Sequence, residues 1–134
     1  MLGSPSVDAQ DYIVEQGTVP NSYCVWVYRK WNSGIAECHT KVTTTLVNSG
    51  TTWVSPYYTY GLNRPNYPFT FIEAPVEIVM PVRSSANSYW LYKQSGASSN
   101  NSTVQTSLYI AIKQNSFTNG STLTVTYSVK GRWK

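Results

Sequence analysis

The sequence predicts one all-β domain, an antiparallel β-sandwich of jelly-roll-like character, and three observations carry that expectation. At 134 residues the chain holds a single core, since single domains most often run to roughly 100–150 residues. Charged residues make up only 12% against 14% aromatic, so the polarity comes from Ser, Thr and Asn, which favour strands and turns over helix interiors. Short β-branched and aromatic runs alternate with Gly, Pro and Asn turn residues, and no long run repeats at helical spacing.

In chain order, residues 1–10 are expected to be a flexible lead-in, its Met1-Leu2-Gly3-Ser4 resembling a linker stub or cloning scar, and residues 11–134 the domain. Asp11 to Glu15 is a short strand and Gly17 to Tyr23, with Pro20, a loop. Cys24 to Trp31 and Ile35 to Val47 flank Asn32-Ser33-Gly34, a hairpin signal. Ser49-Gly50 turns into strands Thr51 to Ser55 and Tyr57 to Leu62, split by Pro56. The two prolines of Asn63 to Pro68 forbid a regular ladder there, and Phe69-Thr70-Phe71 restarts a strand. Val76 to Val82 follows, with Ile78 and Met80 alternating against Val79, and then Tyr89 to Lys93. Gln94 to Thr103 is an exposed Ser/Asn/Gly loop, and Thr106 to Gln114 and Leu123 to Lys130 are the last strands, with Asn119-Gly120 turning between them. No repeat of fixed period is visible, which argues against propellers and β-helices.

If Gly34 takes the left-handed conformation, Trp31 faces Ile35, and the register sets Arg29 opposite Glu37, Tyr28 opposite Cys38 and Val27 opposite His39. Parity then puts Cys24, Trp26, Tyr28, Ala36, Cys38 and Val42 on a core face, and Arg29 and Glu37 on a wet face as a cross-strand ion pair. Cys24 and Cys38 fall about 13 Å apart, too far to bridge, so two free, buried thiols are expected.

The net charge of +4 does not point to nucleic acid, because the basic residues lie scattered from Arg29 to Lys134 without a cluster. No apolar stretch approaches the ~20 residues of a bilayer span, so no membrane insertion is expected. Acid/base catalysis is poorly supplied: Glu73 and Glu77, in extended chain, stand about 13 Å apart, beyond the roughly 5–9.5 Å of glycosidase pairs. His39 is the sole histidine, and its neighbour Cys38 points to the opposite strand face, which spoils a Cys-His couple. Metal spacing and phosphate-loop motifs are absent, so neither a catalytic residue, a metal nor a cofactor is expected. The sequons at Asn100, Asn101 and Asn119 read as chance occurrences in a Ser/Asn-rich chain.

The aromatic supply is conspicuous: Trp53, Tyr57, Tyr58, Tyr60 and Tyr67, then Tyr89, Trp90 and Tyr92. Tyr57 and Tyr58 are neighbours, as are Tyr89 and Trp90, so alternation sends some of these rings outward. Outward rings stack on sugar faces or fill a protein interface, whereas inward ones pack a core. Trp53, Tyr58, Tyr60, Asn63 and Arg64 are the sequence-based candidates for a ligand surface.

The run Tyr12 to Gly17, followed by Trp26-Val27-Tyr28-Arg29-Lys30-Trp31-Asn32-Ser33-Gly34-Ile35-Ala36-Glu37-Cys38, resembles the C-terminal domains of tail-fibre and minor structural proteins from phages and prophages of Gram-positive bacteria. Tyr67-Pro68-Phe69-Thr70-Phe71, Ala74-Pro75-Val76 and a terminal Gly131-Arg132-Trp133-Lys134 continue the pattern; His39 departs from it, standing where an aromatic or small residue is usual. The resemblance implies a virion component at the tail tip, commonly a homotrimer carried by an upstream fibre, that recognises a cell-surface saccharide or protein and has no catalytic motif. A purely structural module that caps or trimerises the fibre, and a carbohydrate-binding module of a larger enzyme, are the alternatives.

Overall fold

The computed structural model of the chain describes residues 10–84, 86–93 and 102–134, over which nine strands form and no helix does. They are β1 (Ile13–Pro20), β2 (Val25–Trp31), β3 (Ile35–Thr45), β4 (Thr51–Val54), β5 (Tyr57–Gly61), β6 (Val76–Pro81), β7 (Trp90–Lys93), β8 (Tyr109–Gln114) and β9 (Thr122–Arg132). All pairs are antiparallel, in a five-stranded sheet ordered β1-β2-β3-β9-β6 and a four-stranded sheet ordered β4-β5-β8-β7. Residues 1–9 of the expected lead-in, and most of the expected loop from Gln94 to Thr103, lie outside the described residues.

The two sheets share one core. Trp26, Cys38, Val42, Val125 and Tyr127 come from the larger sheet, Tyr109 and Ala111 from the smaller, and Leu62, Tyr67, Phe71 and Phe117 from the connections. Tyr109 and Tyr127 meet edge to face across the layers at 5.8 Å, a favoured aromatic geometry. The Trp26 indole N–H donates to the Asn66 carbonyl at 2.8 Å, which satisfies the largest buried side chain.

The β2–β3 hairpin has the register read from the sequence, with Val27 opposite His39, Tyr28 opposite Cys38 and Arg29 opposite Glu37. Gly34 closes the turn at φ 97°, where a side chain would be strained and would also meet the Lys134 carbonyl. Both thiols are free: Cys38 is buried and Cys24 only half-buried, and burial pushes each above the usual thiol range. The expected Arg29–Glu37 ion pair does not form. Among the described residues the ion pair is Lys30 to Glu15 at 3.2 Å, because Lys30 turns toward the core edge, its Nζ lying 4.7 Å from the Phe69 ring centre and 5.1 Å from that of Trp133. A surface pair such as exposed Arg29 and half-buried Glu37 gains too little beside water to hold two long side chains together.

Two other expectations are corrected. The first strand runs on to Pro20 instead of ending at Glu15, since the outer edge of the sheet tolerates a proline and Gln16 to Val19 pair with β2. Phe69-Thr70-Phe71 alternates like a strand but pairs with none; the Phe71 N–H donates singly to the Thr103 carbonyl, and both phenylalanines pack into an aromatic cluster with Tyr28 and Tyr67. The segment seals one end of the core over Gly131, where a Cβ would come within 2.8 Å of Pro75 and 2.9 Å of Phe71.

β6 is the element with an inverted face. Glu77 and Val79 point inward, whereas Val76, Ile78 and Met80 are 70%, 58% and 59% exposed. The Glu77 carboxylate accepts from the Tyr67 hydroxyl, from the Tyr109 hydroxyl at 3.1 Å and from the Ser107 N–H at 3.0 Å. Burial, and after it this carboxylate, push the Tyr67, Tyr109 and Tyr127 hydroxyls above their usual range, so all three stay protonated and Tyr67 and Tyr109 remain donors to Glu77.

Candidate functional site

The outer face of the four-stranded sheet collects aromatic rings that the core does not use. Register and alternation place Trp90, Ile112, Thr59 and Thr51 in one line across β7, β8, β5 and β4, and Tyr92, Ile110 and Gly61 in the next. Trp90 is 64% exposed and Tyr92 39%. On the opposite margin the β4–β5 ladder slips between Thr52 and Val54, so that Trp53 and Val54, both about three-fifths exposed, stand against Tyr57. The floor between the margins is low, because Gly61 has no side chain and nothing lies within 4 Å of where its Cβ would be.

The result is a shallow trough with aromatic walls, spanning roughly 10–14 Å from β7 to the β4–β5 hairpin at about 4.8 Å per strand. Its strands contain no Asp, Glu, His or Cys; their cations are Lys93, exposed at the end of β7, and Lys113 of β8, whose Nζ donates to the Gln114 and Ser116 carbonyls. Neutral rings over a floor of Thr and Ile suit stacking and van der Waals contact.

The five sequence candidates do not assemble into one surface. Trp53 is exposed as required. Tyr58 and Tyr60 lie on the inner side of β5 and pack against the core, Tyr60 edge-on to Phe117 at 5.9 Å and accepting the Val47 N–H at 3.0 Å through its hydroxyl. Asn63 and Arg64 are half-buried braces. The Asn63 N–H donates to the Thr44 hydroxyl at 2.9 Å and the Arg64 Nε to the Thr106 carbonyl at 2.5 Å, pinning the β5–β6 connection across the core edge. Tyr57, Trp90 and Tyr92 were visible in the sequence as aromatic residues; what singles them out is parity, which became readable only once β5 was paired with β8 and β8 with β7.

A second feature lies on the outer face of the larger sheet, where two depressions of about 440 Å³ each lie beside β6, one lined by Val76, Ile78, Glu37 and Lys130, the other reaching across to Val25 and Val27 of β2, with His39 and Ser128 lining both. Among the described residues no group of three or more His, Cys, Asp or Glu side chains is placed to hold a metal ion, and no helix is long and apolar enough to cross a membrane.

Compared with protein-family models, with curated proteins and with solved structures, the chain matches none of them.

Proposed function

We propose that the domain is an adhesion module, a receptor-binding head of a phage tail fibre that engages a saccharide on the surface of Gram-positive cells through the aromatic face of the four-stranded sheet. The observation that carries this reading is the exposure of Trp53 and Trp90, 61% and 64%, on opposite margins of one trough. An isolated exposed aromatic needs no explanation; two tryptophans with Tyr57 and Tyr92 around a floor of Thr and Ile do. The aromatic lining favours a sugar ring, whose C–H face stacks on it. The sandwich itself reads as a reduced jelly roll, since β3-β9-β6 in one sheet and β5-β8-β7 in the other interleave as that topology requires. The sequence resemblance to fibre C-terminal domains supports the same role, and its virion setting and receptor recognition belong to this proposal.

The test is binding of the fluorescently labelled domain to intact Gram-positive cells and to their purified wall polysaccharide. Trp90→Ala combined with Tyr92→Ala is expected to weaken binding about tenfold or more, equal to ~1.4 kcal/mol, without altering the melting temperature. Binding that is unaffected by these changes and by Trp53→Ala overturns the assignment of the face.

A further inference from the structure

We propose that the saccharide bound at the aromatic face carries an anionic substituent, a phosphate or a carboxylate, seated against Arg83 in the cleft between the β6–β7 connection and the β8–β9 turn. The inference rests on the adhesion reading above for its sugar and on a separate set of residues for its charge. One hollow of about 340 Å³ is lined by Arg83, Ser84, Ser121, Thr122 and Thr124, and a second of about 210 Å³ shares Arg83 and Ser84 and reaches Ser88 and Tyr89. A third, walled by Ser88 and Tyr89, opens on Trp90, one margin of the trough. Each hollow shares residues with the next, so a glycan that stacks a ring on Trp90 has a path for its substituent to Arg83.

Charge selects the occupant. From Ile78 to Lys134 the chain has no Asp or Glu, and the lining of all three hollows comes from that stretch, so an anion entering there meets no carboxylate. Arg83 is exposed and, among the described residues, takes part in no ion pair or hydrogen bond, whereas Arg64 commits its Nε to the Thr106 carbonyl. The planar guanidinium fork matches the paired oxygens of a phosphate or carboxylate. Beside it, the Ser84 Oγ accepts the Ala86 and Asn87 N–H groups at 3.3 and 3.2 Å, which leaves the hydroxyl proton to donate to a ligand. The walls are fixed in advance. Asn87, 3% exposed, donates from its side-chain amide to the Ser121 Oγ at 2.8 Å and accepts the Thr118 N–H at 3.0 Å, and the Val82 N–H donates to the Thr124 carbonyl at 2.9 Å. A cleft tied in this way loses little freedom on binding. An arginine on an open surface is simply solvated; hydroxyl-lined hollows on both sides of an unpartnered cation distinguish this one.

The measurement is the amide spectrum of the isotope-labelled full chain, titrated with glucose 1-phosphate, glucuronate and glucose at matched ionic strength, to about 50 mM because a single small subsite binds weakly. At least one of the two charged sugars is expected to move the resonances of Ser84, Asn87, Gly120 and Ser121, the stronger of them identifying the group, while glucose leaves them in place. Arg83→Ala should abolish that response with the melting temperature unchanged, and Arg83→Lys, which keeps the charge and loses the fork, should weaken it. Purified wall polysaccharide should bind Arg83→Ala about tenfold less tightly, the loss of one charge-assisted contact. Silence toward both charged sugars, an equal response to glucose, a response that survives Arg83→Ala, or polysaccharide binding indifferent to Arg83→Ala would each overturn the proposal. Charged sugars that act through Arg83 while wall polysaccharide does not bind would overturn the adhesion reading alone and leave the anion subsite standing.

Discussion

Glu15 and Lys30 show how single residues fasten the outermost strand. The Glu15 carboxyl accepts from the Tyr28 hydroxyl at 2.8 Å and pairs with Lys30, and these partners, the hydroxyl first, hold it below the usual carboxylate range. A carboxyl depressed in the folded state stabilises fully above its unfolded pKa, and that contribution disappears as pH falls through the lowered value. Glu15→Gln should therefore lower the melting temperature at pH 7 and make no difference at pH 2; the group is exposed, so the shift is small, and thermal melts at the two pH values measure it. At Gly131 a methyl group would collide with Pro75 and Phe71, neither of which can swing away. Gly131→Ala should cost about 1–3 kcal/mol in a denaturant titration, the range for overpacking a filled site.

At the level of elements, legibility depended on whether a local feature set the register. The β2–β3 hairpin was readable because one short glycine turn fixes the pairing, and alternation then divides core from surface. β6 showed its alternation equally plainly, but nothing local says which face looks inward, and hydropathy alone would turn Ile78 and Met80 to the core. The three donors converging on Glu77 come from Tyr67, Ser107 and Tyr109, which are remote in sequence and invisible to a pattern. Phe69 to Phe71 misled for the converse reason: strand-like alternation serves here to plug the end of a sandwich without a ladder. Glu77→Ala removes the acceptor these donors share and should cost roughly 2 kcal/mol or more, with Glu77→Gln, which keeps a carbonyl oxygen, costing less; chemical denaturation of the two variants checks the order.

For the whole molecule, the sandwich was legible from composition and turn spacing, while the candidate surface was only partly so. The aromatic excess was evident, yet choosing between Tyr57 and Tyr58, or between Tyr89 and Trp90, required knowing which strands pair, and Asn63 and Arg64 proved to be braces at a core edge. The folded chain presents two unlike outer faces, one aromatic and one aliphatic, and a saccharide is the proposed ligand of the first. The five tryptophans allow a direct test, because Trp53 and Trp90 lie on that face while Trp26 and Trp133 are tied internally through their indole N–H groups to Asn66 and Trp31. When purified Gram-positive wall polysaccharide is titrated into the isotope-labelled domain, the indole resonances of Trp53 and Trp90 should move while those of Trp26 and Trp133 hold still. Saturating polysaccharide that leaves Trp53 and Trp90 unmoved would contradict the account.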